Sequence, residues 1–376
     1  MEYNGSGELR RVLLLERGGV INGAQRQLCY LACGLDRRRF EPIVFLGEPG
    51  PLGDYLTRNG IEVHVVRMRP WHTRLGALRR RLDALRIARL AERRRIDLVH
   101  ASYLWTSGYM HFVSRRLSVP GVVHVRGPLS GQDVVGHGLA RADAVIAIAQ
   151  RYHEDLLAVG IAPDHVNVID DAVDLELFRP APAARNALRK QYGLEGRLLV
   201  GLVGRVEPGK RVIEFLEVIA PLTRPSDGQV SGLVIGQPGP KPYCRQVQQA
   251  AARLGLGGHV VFTGRREDMP AVIAELDILM TMSGGSVMFE AMACARPVLS
   301  VRTDGRHSVH TRHGETAWCV TTDHPEPVTA ALALLAGDPD LRQRLGLAAR
   351  AWAQRHLSVA TMVTRTQALY DRLLRR

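Results

Sequence analysis

Lysine is almost missing from this chain. Only Lys190, Lys210 and Lys241 are lysine among 50 basic positions, and the rest are arginine. Such a skew reads as a bias of the coding sequence. The formal net charge of +13 is therefore weak support for a polyanion partner, although an anionic membrane surface stays among the candidates. Aromatics make up 5% of residues, too few to alternate with arginines as stacking platforms, and no nucleic acid is expected as partner. Cysteine is scarce and odd in number. Cys29, Cys33, Cys244, Cys294 and Cys319 are scattered without a C-x-x-C pair, which excludes a disulfide framework. Cys29 and Cys33 share a helix face but have no histidine near them, so no metal site is expected. No apolar run reaches the length of a membrane span, and the opening MEYNGSGELRR has no apolar core of a signal peptide. A reducing cytoplasm is the expected compartment, with at most peripheral contact at the inner membrane face.

What is present is an ordinary globular composition, 46% hydrophobic and 23% charged over 376 residues. That length exceeds one core and predicts two domains. Short β-branched runs at 12–15, 43–46, 63–66, 98–101, 122–125, 145–148 and 166–169 predict buried strands. Helical patterns fill 24–35, 74–95, 106–117 and 150–159. The run RPAPAARNALRKQYGLEGR (179–197) reads as a linker. The alternation then resumes, with strands at 198–203, 233–235, 260–263, 278–281, 298–301 and 318–320. Helices are predicted near 210–220, 243–254, 270–275, 287–294, 325–335, 339–355 and 358–376. Strand and helix alternating in this way predict an α/β chain of two Rossmann-like, doubly wound parallel sheets. The expected boundaries are 1–180 and 181–357, with 358–376 a separate helix, and a ligand belongs in the crevice at the carboxyl edges of the strands.

Residues 69–95 stand apart. Leu75, Leu78, Leu82 and Leu85 recur at spacings of three and four, predicting a helix whose leucine stripe packs on the sheet. Arg74, Arg79, Arg80, Arg81, Arg86, Arg89, Arg93, Arg94 and Arg95 cover the remainder, where they could face an anionic membrane.

Three stretches of the second half carry chemistry. In DILMTMSGGSVMFEAMACARPVLS (277–300), Ser283, Gly284, Gly285 and Ser286 form a tight turn between a buried strand and a short helix. First-turn amides carry partial positive charge and suit a phosphate. Glycine lets an anion approach the backbone. Glu290, one turn in, could accept both hydroxyls of a ribose. The same pattern fits a plain strand-to-helix connection, and Glu290 an ordinary first-turn acid. In GLVGRVEPGKR (201–211), Arg205 and Lys210 flank a Pro-Gly turn at a strand end, where two cations can clamp a diphosphate or sit solvated. FTGRRED (262–268) ends the next strand, and its backbone at Thr263, Gly264 and Arg265 could meet a base edge.

Taken in order, these motifs resemble the retaining glycosyltransferase family 4 of the GT-B glycosyltransferases. The likeness rests on GRVEPGK (204–210), FTGRREDMPAVIAELDI (262–278) and FEAMACARPVLS (289–300). It extends to INGAQRQLCYLA (21–32), DLVHA (97–101), VIDDAVDLELFRP (168–180) and the tail 358–376. The resemblance implies a GT-B fold, two Rossmann-like domains facing a central cleft, the tail crossing back to the first domain. It implies transfer of a hexosyl unit from a nucleoside-diphosphate sugar to a sugar or lipid-linked acceptor, with retention and without metal or other cofactor. Gly204, Arg205 and Lys210 would hold the diphosphate, and Glu290 the ribose. Gly284, Gly285, Ser286 and Val287 would hold phosphate or sugar oxygens, and Gly23 would let backbone approach the diphosphate. Four departures stand out. Met282 occupies the place of the family's second acid, and 278–289 contains no Asp or Glu. Ala295 stands where glycine is preferred, so that turn is expected to differ. Asp171-Ala172 replaces an Asn-Gly turn. The acceptor-side histidine falls at Arg126, with His124 two residues earlier on the same strand face; either could stabilise the reacting centre as a catalytic residue, and His124 equally fits a satisfied strand-end histidine. A sugar-nucleotide epimerase, a catalytically silent subunit and a basic adaptor are the rival readings.

Overall fold

The computed structural model describes residues 8–71, 76–127, 129–180, 187–223 and 230–375. The chain divides into two compact units, Met1–Ala172 with Val359–Arg376, and Val173–Ser358.

In the first unit, β1 (Arg10–Glu16), β2 (Phe40–Leu46), β3 (Glu62–Val65), β4 (Leu98–Ala101), β5 (Gly121–Val125), β6 (Ala144–Ala147) and β7 (Val166–Val168) form one sheet in the order β3-β2-β1-β4-β5-β6-β7. Every pairing in it is parallel. The connecting helices are α1 (Gly23–Gly34), α2 (Pro51–Arg58), α3 (Ala77–Arg93), α4 (Ser107–Leu117), α5 (Gly131–His137) and α6 (Gln150–Ala158). A parallel sheet is covered on both faces, and its central strand accordingly reads as an unbroken apolar run. Val12, Leu13, Leu14 and Leu15 of β1 are all fully buried. Val12 and Leu14 join the α1 layer, and Leu13 and Leu15 join the α3 and α4 layer. Burying each such leucine contributes roughly 1.5–3 kcal/mol.

The second unit contains α7 (Ala187–Tyr192), α8 (Val212–Ile219), α9 (Lys241–Arg253), α10 (Met269–Glu275), α11 (Val287–Ala293), α12 (Pro325–Gly337) and α13 (Pro339–His356). Its strands β8 (Leu198–Val203), β9 (Val230–Ile235), β10 (Val260–Gly264), β11 (Ile278–Thr281), β12 (Val298–Arg302) and β13 (Trp318–Thr321) form a parallel sheet in the order β10-β9-β8-β11-β12-β13. After it, α14 (Val359–Leu374) packs on the first unit. Tyr370 lies edge-on to Phe40 with ring centroids 5.8 Å apart. The Arg39 guanidinium donates to both Asp371 oxygens at 2.5 and 2.6 Å. Gly34 leaves room for α14, since a Cβ there would come within 2.8 Å of Val363 Cγ2.

All thirteen expected strands form, with ends shifted by a few residues. The helices carry four corrections. α2 and α5 were not expected: each is short and glycine-containing, and each buries only two residues, Leu52 and Leu56 in α2, Val134 and His137 in α5. A legible start signal did exist for α5, because Ser130 accepts from Asp133 N while the Asp133 carboxylate accepts from Ser130 N. The expected linker 179–197 contains α7, whose Leu188 is buried; residues 181–186 lie outside the described part. The fourth correction concerns α3. Its buried face is Asp83, Ala84, Ile87, Ala88 and Ala91, while Leu78 and Leu82 are 74% and 49% exposed. Leu75 and Arg74 lie outside the described residues. Small side chains let α3 sit close against α4, and alanine carries too little hydrophobicity to announce that face against four leucines.

Ala295 bears on turn geometry. It does adopt a left-handed backbone, φ 55°, so the turn after α11 keeps the form that glycine favours. Arg296 N donates to Ala291 O at 2.8 Å and Ala295 N to Met292 O at 3.0 Å, the paired bonds of a glycine-type helix end. A left-handed alanine costs about 1–2 kcal/mol, partly offset on substitution by the larger entropy of an unfolded glycine. Ala295→Gly is therefore expected to raise stability by about 1 kcal/mol in guanidinium denaturation. No gain would mean that the turn carries no strain.

Candidate functional site

Because every strand of the second sheet runs the same way, the loops after β8, β9, β10, β11 and β12 all leave one edge. Backbone contacts join the first three. Gly204 N donates to Ile235 O and Gly236 N to Gly264 O, both at 2.9 Å. Gly204 (φ 149°) and Gly236 (φ 153°) take conformations open to glycine, and a Cβ on Gly236 would lie 2.0 Å from Gly204 O.

Gly204 has a second effect. Lys210 runs across it, close enough that a Cβ on Gly204 would sit 2.9 Å from Lys210 Cε. A 3-10 turn at Pro208–Lys210 directs that stem, and Lys210 Nζ reaches Ser283 Oγ at 3.3 Å. The ammonium from the β8 loop is thereby set at the mouth of the glycine turn after β11. Thr281 Oγ1 closes that turn, accepting from Gly284 N at 3.0 Å. Gly284 and Gly285 have φ of 74° and 113°, and both leave the backbone open where a side chain would shield it. Ser286 and Val287 begin α11, with Phe289 N and Glu290 N donating to Ser286 O. Glu290 is half-buried one turn in.

Other expected residues take more peripheral places. Arg205 is 53% exposed and lies 3.9 Å from Glu207. Thr263 Oγ1 donates to Gly264 O, and Arg265 is exposed. Met282 is 5% exposed and belongs to the apolar core of its unit, so it offers nothing to the hollow.

Arg302 was not foreseen. Its Nη1 donates to Ser283 O at 3.1 Å, while Nε and Nη2 grip Asp304 at 3.0 and 2.6 Å. The guanidinium holds the Asp304 carboxyl down to about 2. Two residues apart in sequence, the pair resembles an ordinary surface ion pair, and only the fold reveals its third contact.

In the first unit, the loop after β1 is shaped by a residue also missed. Glu16 accepts from Arg17 N and Gly18 N at 2.8 and 3.0 Å. Gly19 then lies against the β2–α2 loop, where a Cβ would come within 2.3 Å of Pro49 O. Gly23 opens α1, whose Gln25 side chain accepts from Asn22 N at 3.3 Å. At the far end of the same sheet edge, Gln27 brackets Ala172, donating to its carbonyl and accepting from its amide, both at 2.8 Å. That bracket takes over where Asp171-Ala172 replaces Asn-Gly.

His124 is 4% exposed and lies in the α1 and α14 layer. His100 Nε2 is 2.8 Å from His124 Nδ1, and His100 Nδ1 is 2.5 Å from Tyr370 Oη. Tyr370's hydroxyl meets no other partner among the described residues, so it donates to His100, and His100 Nε2–H donates to His124. Beside them Arg126 pairs with Asp171 and donates from Nε to Ser102 O at 3.1 Å. Burial, then the Arg126 charge, depresses His100 to about 3. Burial, Arg126 and His100 hold His124 well below the usual histidine value. Burial raises Asp171's carboxyl in spite of Arg126.

Both rings are thus neutral in the fold but charge near pH 6.5 in the unfolded chain. Protons favour unfolding, so their stabilisation is complete above about pH 6.5 and is lost as pH falls from there toward 3. The unfolding free energy from denaturant titrations is expected to drop between pH 7 and 5, by up to about 1.4 kcal/mol per pH unit for each histidine. The double variant His100→Gln, His124→Gln should flatten that slope; an unchanged slope would place its origin elsewhere.

Comparison with known proteins identifies the family and the fold. A family model described as Glycosyltransferase Family 4 matches residues 21–177, and one described as Glycosyl transferases group 1 matches residues 197–338. The chain is 31% identical over 310 residues to the D-inositol 3-phosphate glycosyltransferase of Streptomyces scabiei, covering 73% of this chain and 69% of that protein. It is 29% identical over 223 residues to the GDP-mannose-dependent alpha-(1-6)-phosphatidylinositol monomannoside mannosyltransferase of Mycolicibacterium smegmatis. That match covers 56% of this chain and spans a little over half of the relative, 57% of its length. The crystal structure of Anabaena HepE in complex with UDP superposes with a TM-score of 0.84 at 23% identity, over 96% of this chain and 100% of that one.

Proposed function

The chain belongs to glycosyltransferase family 4 and has its GT-B fold, and on that premise we propose that it transfers a hexosyl group from a nucleoside-diphosphate sugar to an acceptor hydroxyl, with retention at the anomeric carbon. The observation that carries this reading is Lys210 Nζ standing 3.3 Å from Ser283 Oγ, over a turn whose two glycines expose backbone. A cation fixed there before the reaction stabilises charge as it develops on a departing diphosphate. Arg205 adds a second, more exposed charge. Glu290 takes the ribose hydroxyls, the backbone at Thr263, Gly264 and Arg265 takes the base, and Gly284, Gly285, Ser286 and Val287 take phosphate or sugar oxygens. The reading requires neither metal nor cofactor. The anomeric carbon–phosphate bond breaks, a bond to the acceptor oxygen forms on the same face, and the acceptor proton passes to the leaving phosphate. On the first unit the reading gives Arg126 the acceptor side, with His124 and His100 supporting its strand end.

UDP- and GDP-linked donors are the first to try, since HepE was crystallised with UDP and the Mycolicibacterium relative is named for GDP-mannose. A saccharide, lipid-linked or natural-product acceptor fits the family. The exposed Leu78 and Leu82 on α3, beside Arg79, Arg81, Arg86, Arg89 and Arg93, support peripheral contact with an anionic membrane, where such an acceptor would be found. Met282 in the core, with no carboxylate at its position, favours one second reading, a subunit that binds nucleotide without turnover. Mass-spectrometric detection of transfer to an acceptor panel separates the two.

Lys210→Ala and Glu290→Ala are each expected to weaken binding of UDP or GDP more than tenfold by calorimetry; wild-type affinity in both variants would remove the site assignment. Leu78→Glu with Leu82→Glu is expected to cut sedimentation with phosphatidylglycerol vesicles at least fivefold, and undiminished sedimentation would exclude α3 as the contact.

A further inference from the structure

Ser283 is held from two sides. Lys210 reaches its hydroxyl at 3.3 Å, and Arg302 reaches its carbonyl at 3.1 Å. The first hold uses one of the ammonium's three donors and is compatible with a further contact to a phosphate. The second hold is of another kind. Arg302 also holds Asp304 through Nε and Nη2 in a two-point grip at 3.0 and 2.6 Å, a geometry that a planar guanidinium keeps and an ammonium cannot.

Asp304 is itself anchored. It accepts from Arg306 N at 3.1 Å. The loop it belongs to is pinned by His307, whose Nδ1 lies 2.9 Å from Ser300 Oγ in β12 and whose Nε2 lies 3.1 Å from Thr321 Oγ1 at the end of β13. Two neighbouring strands therefore fix the carboxylate, the carboxylate fixes Arg302, and Arg302 fixes the Ser283 carbonyl. The Ser283 carbonyl and the Gly284 N–H share one planar peptide, and that N–H donates to Thr281 Oγ1 at 3.0 Å, so holding the carbonyl sets the plane from which Gly284 (φ 74°) and Gly285 (φ 113°) continue. Arg302's own charge is neutralised by Asp304, and its side chain is only 15% exposed.

We propose that Arg302 is a positioning residue: braced by Asp304, it sets the path of the Ser283–Gly285 turn so that the turn meets the distal phosphate of a nucleoside diphosphate, a role that rests on the donor site proposed above. The function is geometric, carried through the Ser283 carbonyl, and not a charge offered to the ligand.

Calorimetry of the full chain with UDP, GDP, UMP and GMP tests this, using Arg302→Gln, Arg302→Lys and Asp304→Asn. Arg302→Gln is expected to weaken diphosphate binding at least tenfold and monophosphate binding less than threefold, with the thermal midpoint within 2 °C of wild type. Arg302→Lys should fail to rescue, since it loses the two-point grip. Asp304→Asn should weaken diphosphate binding severalfold even though it leaves the site more positive. In a transfer assay, donor KM should rise in all three variants while acceptor KM stays put. Wild-type diphosphate affinity in Arg302→Gln, rescue by lysine, or tighter binding in Asp304→Asn would each overturn the inference. If Lys210→Ala weakens binding and Arg302→Gln does not, only the role of Arg302 falls. If the wild-type chain binds neither UDP nor GDP, the donor site and this inference fall together.

Discussion

Parallel strand pairing is the constraint on which the rest depends. Thirteen strands in two sheets all point their carboxyl ends at one edge of their own sheet, so loops distant in sequence leave from neighbouring positions. Parallel ladders need long crossovers, and crossovers bury both sheet faces beneath helices. The edges are then the places left where polar backbone can face a ligand. Lys210 and Ser283 are 73 residues apart, yet β8 and β11 are direct neighbours, and the contact between them follows from that adjacency.

Close backbone approach does the remaining work at the second edge. Gly204 and Gly236 let two loops touch without side chains between them, and the Lys210 stem lies across the gap that Gly204 leaves. The first unit solves the same problem with polar side chains. Glu16 gathers the amides that follow β1, Gln27 brackets Ala172, and the chain Tyr370–His100–His124 carries hydrogen bonds through a layer where unpaired polar groups would be costly. Arg126 and Asp171 close that layer as a buried pair.

The sheets were legible because each buried strand is a short β-branched run, and the residue order GRVEPGK, FTGRRED and FEAMACARPVLS was enough to suggest a nucleotide. The glycine turn between β11 and α11 was legible as well, its two glycines being visible by spacing. What escaped was whatever depends on contact between distant positions. Arg302 beside Asp304 has the look of surface charge until Ser283 is placed against it. Glu16 is one more acid at a strand end until two amides turn toward it. On α3 the eye follows leucine, whereas burial followed Ala84, Ala88 and Ala91 because a close approach favours small side chains. Ala295 shows the converse: composition argued against a left-handed turn, and tertiary packing imposed it. Gly346 in α13 comes so near that a Cβ there would lie 2.2 Å from Ala295 O.

The return of α14 to the first unit has a bearing on biosynthesis. Residues 173–358, the continuous second unit, are made before the helix whose Tyr370 meets His100 of β4. The earlier-made half must therefore wait, its His100 and Leu14 uncovered, until Tyr370 arrives. The first unit completes this hydrogen-bonded layer only after the whole of the second unit has been made.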